Sequence, residues 1–199
     1  MPTTLDIKEP GLNVLPPGVE RHSVNMGGLT GLQIFPDDQI EVINEEGNQI
    51  CEIICFDKNG KPELGILNLK ENSKKSFIKE ILNNNEESSL ITKLQLKKRN
   101  LNINNSKSSI IFDKDSSSGE KVKLKSKDKC YVIFSAPKNE MLISDQNPSS
   151  NLTIFIKRAK INKDKELSII PDPIYDPSYE KNIDRQTCLS YQVKEGDYV

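Results

Sequence analysis

Short runs of alternating or β-branched residues, closed by turn signals about every 8–20 residues, constrain this chain more than any other feature. Gln39-Ile40-Glu41-Val42-Ile43-Asn44 alternates polar and apolar over its first four residues. Glu45-Glu46-Gly47-Asn48 supplies turn chemistry, and Gln49 to Phe56 is rich in β-branched residues, so together they predict a β-hairpin. Asp57 to Pro62 reads as a second turn, with a short strand over Leu64–Leu67. Strand readings also fit Leu90–Lys97, Ser109–Phe112, Lys121–Leu124, Lys129–Ser135 and Asn151–Lys157. One segment breaks the period of two: Phe77, Ile78, Ile81 and Leu82 share one stripe of a helix over about 70–83. Asn68 and Glu71 resemble a capping box at its start, and Asn83-Asn84-Asn85 ends it. The expected fold class is mainly β, an antiparallel sandwich or barrel with one helix.

Composition sets the scale. The chain has 199 residues, 35% of them hydrophobic and 29% charged, with a net charge of −1. That suits one domain, or one domain plus a fragment, with a moderate core and sizeable solvated loops. No apolar run approaches the roughly 20 residues that span a bilayer, and the start lacks a basic region followed by a hydrophobic one. A cytoplasmic protein without a membrane partner is expected, its four cysteines reduced. Having one histidine excludes from this chain any centre that needs two imidazoles. The lysine and asparagine excess reads as genomic bias.

The chain divides into an extended arm (1–14), a β-rich domain (15–158), a proline-rich linker (159–187) and a last stretch (188–199) that repeats the beginning. Leu32 to Ile40 aligns without gaps with Tyr191 to Val199, Gln33 matching Gln192 and Asp38 matching Asp197. Both copies read as strand, tight turn, strand. The second copy starts where a new domain would start, so it is read as a truncated second β unit of a longer polypeptide.

Leu15-Pro16-Pro17-Gly18, then Gln33 through Asp38, then Val42 to Gln49 leading into a hydrophobic strand, resemble the N-terminal half of the urea carboxylase-associated family, a conserved domain of unknown function. The run from Asn151 to Arg158 is similar to that family's closing strand. Paired repeats of this kind resemble bacterial proteins whose C-terminal part is a folate-dependent aminomethyltransferase like the glycine-cleavage T-protein. The resemblance implies a non-catalytic N-terminal accessory domain, with the C-terminal domains of the same polypeptide as its partners. Tetrahydrofolate is implied for the full-length protein, and no cofactor for these residues. The chain departs from the family at Gln49-Ile50-Cys51-Glu52, where members usually have Cys or Gln followed by Asp, and the family's cysteine motifs are not evident downstream.

Candidate chemistry is sparse. On a strand Cys51 and Cys55 share a face but stand about 13 Å apart, whereas two thiolates on one zinc lie within about 4 Å. They read as core cysteines, as does Cys130, and no metal ligands or catalytic residues are assigned. Cys188 reads as the most exposed thiol, with nothing near it to activate it. Arg21 and His22 are the ligand-binding candidates, His22 because an imidazole on a strand can serve as ligand or base. Asn25 to Gly31 holds three glycines without the GxGxxG spacing and reads as a turn. Lys121, Lys123, Lys125, Lys127 and Lys129 stand at period two and are the anion-binding candidates, projecting from one face if the segment is extended. No aromatic residue lies between Lys121 and Lys129 to stack bases, so nucleic acid is not an expected partner, and lysines also guard edge strands. Two alternatives stand beside the accessory domain: a self-contained small-molecule-binding or hydrolytic protein of the urea carboxylase-associated type, and an anion-binding scaffold.

Overall fold

Alternation along β4 (Cys51–Asp57) puts Cys51, Ile53 and Cys55 on one face and Glu52, Ile54 and Phe56 on the other, and both faces are buried. A strand buried on both sides needs two covering layers. The computed structural model supplies them; it describes residues 15–16, 18–73, 76–83, 87–138 and 148–160. The other strands are β1 (Val19–Val24), β2 (Leu29–Ile34), β3 (Gln39–Asn44), β5 (Ser109–Phe112), β6 (Glu120–Lys125), β7 (Cys130–Ser135) and β8 (Leu152–Lys157). Two antiparallel four-stranded sheets form, ordered β1-β8-β3-β6 and β2-β7-β4-β5. The fold is therefore the expected β-rich one, in its sandwich form. Ile40, Val42, Ile154 and Ile156 from one sheet meet Ile53, Cys55, Val132 and Phe134 from the other in the core between them.

The predicted hairpin does not form, because β3 and β4 lie in different sheets. Asn44 makes the crossing: its amide donates to Gln49 O at 3.0 Å and Ser116 Oγ at 2.7 Å, while its Oδ1 accepts from Gly47 N at 3.0 Å. Gly47 and Asn48 are both left-handed, with φ of 82° and 57°, and so turn the chain between layers rather than back along β3. Burying the apolar face of each strand in a shared core outweighs local pairing.

Three further expectations need correction. Leu64–Leu67 is a 3-10 turn, not a strand; Glu63 Oε1 accepts from Gly65 N at 2.9 Å, and left-handed Asn68 ends it. Asn68 therefore caps no helix with Glu71. The helix expected over 70–83 is α1 (Phe77–Leu82), starting at Ser76, whose side chain accepts from Lys79 N. Asn72 instead brackets β5, accepting from Ile110 N at 2.7 Å and donating to Ile110 O at 2.9 Å, as a neighbouring strand would.

The stretch read as a strand over Leu90–Lys97 is α2 (Glu87–Lys98). Its leucines alternate, but Leu, Lys, Gln and Glu are good helix formers, and Glu87 at the start and Lys97 and Lys98 at the end suit the helix dipole. Left-handed Asn100 and a Leu101 N to Leu96 O bond of 2.9 Å close it as a Schellman motif. Both helices cover the outer face of the second sheet, where Ile78, Ile81, Leu82 and Leu96 pack on Ile54, Phe56, Tyr131 and Ile133. Among the described residues no helix is long and apolar enough to cross a membrane. The arm, most of the linker and the second copy lie outside the described residues.

Candidate functional site

Strands β1 and β3 begin, and β8 ends, at one end of the sandwich. There Glu20, on the inner face of β1, Asp38, just before β3, and Arg158, just after β8, come together. Arg158 Nε donates to Glu20 Oε1 at 2.6 Å and Nη2 to Glu20 Oε2 at 2.9 Å, a fork on a carboxylate. Its Nη1 donates to Asp38 Oδ2 at 2.6 Å and to the main-chain oxygen of Gln33 at 3.0 Å. The guanidinium carbon sits 5.4 Å from the centre of the Phe35 ring. Burial works against this charge, but the bonds and charge of Glu20, then Asp38, outweigh it and hold the Arg158 pKa above its ordinary value. Asp38 also accepts from Phe35 N and Ala159 N, both at 2.9 Å, so one carboxylate closes a turn and fastens the chain where it leaves the domain.

Arg21 and His22 point to opposite faces of β1. His22 is 2% exposed and faces inward, its Nε2 3.0 Å from Glu20 Oε2. That carboxylate is the orienting group the sequence could not show, and it serves Arg158 as well. Arg21 is half-buried on the outer face, opposite Phe155 of β8. The structure thus brings His22, but not Arg21, into the ionic cluster.

The five lysines do not form one row. Lys121, Lys123 and Lys125 project from β6, an edge strand, whereas Lys127 and Lys129 lie in the connection to β7. Lys123 pairs with Glu41 at 3.4 Å and Lys125 with Asp37 at 2.8 Å. The Lys125 bond and charge hold the Asp37 carboxyl below its usual range. Lys129 lies over Phe35, 5.3 Å from the ring centre. The row breaks because Ser126 turns inward, exchanging main-chain bonds with Asp37 and Asp38 and donating from Oγ to Asp128 O at 2.6 Å.

Cys51, Cys55 and Cys130 are buried free thiols, as expected of core cysteines, and burial pushes the Cys51 thiol up. Among the described residues no three of His, Cys, Asp and Glu gather as a metal ion requires. Glu52 is a buried carboxylate that sequence reasoning passed over. It accepts from Ile78 N at 2.7 Å, at the start of α1, and burial, only partly offset by Ser108, Ile78, Ser76 and Phe77, raises its pKa.

The motif residues that carried the family resemblance are structural here. Gln33 donates to Cys130 O at 2.8 Å. Gln49 donates to Pro137 O at 2.9 Å and accepts from Ser150 N at 2.8 Å, tying together loops remote in sequence. Glu20 and Arg158 had no such signal beyond Arg158's place at the end of the closing strand.

Fold and site together define a β-sandwich domain with a helix-covered outer face and an ionic clasp at its exit. No family model matches the chain, so the urea carboxylase-associated resemblance rests on those motifs alone. Among curated proteins, a trimethylamine-oxide aldolase of Ruegeria pomeroyi is 30% identical to it over 193 residues, which is 97% of this chain. The chain spans 24% of that relative's length, and is thus similar to one stretch of a larger enzyme.

Proposed function

We propose that this chain is a non-catalytic accessory domain of a larger, aminomethyltransferase-like polypeptide related to trimethylamine-oxide aldolase. One observation carries the reading: the match takes in nearly all of this chain and only 24% of the relative. The clasp supports it. Arg158, Glu20 and Asp38 spend their charges on one another at the exit from the domain, which suits a fixed attachment for further domains more than chemistry on a substrate. Folate would be held by those other domains, which are also this chain's partners. The urea carboxylase-associated character belongs to the same reading.

The test pairs the purified chain with the relative lacking its matched quarter, following loss of trimethylamine oxide by proton NMR. The chain alone is expected to leave the substrate untouched and, added in trans, to restore turnover to the shortened relative. Turnover by the chain alone, or no restoration by a folded chain, overturns the proposal.

A further inference from the structure

Beside the clasp, on the outer side of the second sheet, lies a recess of about 300 Å³ between the 57–61 turn, the end of α2 and the start of β7. Its charged lining is Lys58, Arg99 and Lys129 against one carboxylate, Asp57. Asp57 is occupied by its own turn: Oδ1 accepts from Asn59 N and Lys61 N, both at 2.8 Å. Lys58 stands at the rim, more than half exposed and 3.5 Å from Asp128.

Arg99 is the informative residue. Its Nη1 donates to Gln33 Oε1 at 2.7 Å and its guanidinium lies 5.0 Å from the centre of the Tyr131 ring. Those two contacts fix the group without neutralising it, since no carboxylate among the described residues pairs with it. Arg158, the same side chain a few residues of sheet away, is saturated by two carboxylates. A guanidinium held in place by an amide and an aromatic face keeps a planar edge of donors for an incoming oxyanion. Tyr131, which lines the recess, is 3% exposed, and its hydroxyl has no protein partner among the described residues. A buried polar group of this kind calls for an explanation. The volume is at the small end for a ligand site.

We propose that this recess is a binding site for a small organic or inorganic oxyanion, carrying carboxylate or phosphate oxygens, with Arg99 as the positioned anchor and Lys58 and Lys129 as supporting charges. Of the five lysines singled out in the sequence, only Lys129 lines it. The site is independent of the accessory-domain reading and stands or falls separately.

The test titrates the isotope-labelled full chain with succinate and, in a second arm, with inorganic phosphate, at low ionic strength, following backbone amide shifts. Saturable shifts confined to residues 57–61, 97–101 and 129–131 are expected with at least one of the two, and the arm that saturates identifies carboxylate or phosphate as the preferred group. Lys58→Gln, a change at an exposed position that leaves the fold intact, should weaken binding about fivefold, and Arg99→Gln at least tenfold. Lys121→Gln on β6 should change nothing. No saturation with either anion, equal affinity in Lys58→Gln, or shifts that follow the β6 lysines would overturn the proposal.

Discussion

Arg99 reaches from the end of α2 to the side-chain oxygen of Gln33 at 2.7 Å, while the main-chain oxygen of the same glutamine holds Arg158 at 3.0 Å. One residue of β2 thus connects the helix on the outer face with the clasp between the sheets.

Replacing Arg158 by Met should be among the most damaging single changes. It strips the buried Asp38 carboxylate of its guanidinium partner and the half-buried Glu20 of the fork that holds it, and breaking a buried ion pair by removing one partner costs about 3–5 kcal/mol. Urea denaturation at pH 7 measures it, and a loss below about 1 kcal/mol would contradict the role given to the clasp. Adding Glu20→Gln and Asp38→Asn should recover part of the loss, because the stranded charges are then gone.

Glu52 sets a pH dependence of definite sign. Its folded pKa is raised above the ordinary 4.5, so between that value and the higher folded one the folded state binds the proton that the unfolded state has released. Stability from this group is full below about pH 4.5 and falls as pH rises through the folded pKa. Glu52→Gln keeps an oxygen for Ile78 N and should flatten that decline, gaining stability at pH 7 relative to the parent. Parallel stability profiles for the two proteins between pH 4 and 8 would refute this.

Gly31 has no room for a side chain, since a Cβ there would lie 2.7 Å from Cζ of Tyr131. Gly31→Ala should cost about 1–3 kcal/mol through overpacking. Tyr131→Phe, by contrast, deletes a buried hydroxyl without a protein partner and should be neutral or slightly stabilising. Thermal melts of both variants distinguish the two effects.

The faces of α2 are reversed from what its sequence suggests. Leu90 and Leu94 are exposed, Leu94 at 66%, whereas Ser89, Thr92 and Leu96 are buried. Leu90→Lys and Leu94→Lys should each change stability by less than about 0.5 kcal/mol, while Leu96→Ala should cost about 2–4 kcal/mol. Equal losses at all three positions in chemical denaturation would contradict the burial of Leu96 and the exposure of Leu90 and Leu94.

That reversal explains what the residues disclosed and what they withheld. Strands such as β6 and β8 are legible because one face is apolar and the period of two survives. The strand reading of Leu90–Lys97 failed because α2 buries small hydroxyls, Ser89 donating to Ile81 O at 2.8 Å and Thr92 to Ser88 O at 2.7 Å, so that its apolar pattern does not mark its inner face. The hairpin failed because pairing is decided by burial between layers, which a local reading does not see. In the site, His22 stands out for its chemistry, but its partner Glu20 reads as any strand-edge acid until Arg158, 138 residues away, folds against it. Gln33 and Asp38 were visible through the repeat, though as a motif rather than as the anchors of two arginines.

The strand order also dictates when the domain can form. β8 lies between β1 and β3, pairing Val19–Val24 on one side and Gln39–Ile43 on the other. A chain emerging from the ribosome holds β1 and β3 with nothing to join them until residues 152–157 have been made. Nearly every ladder waits on a distant partner, which places this domain among slow folders. Until β8, the last strand among the described residues, is made, β1 must stay unaggregated without its ladder, and it is β8 that closes the first sheet.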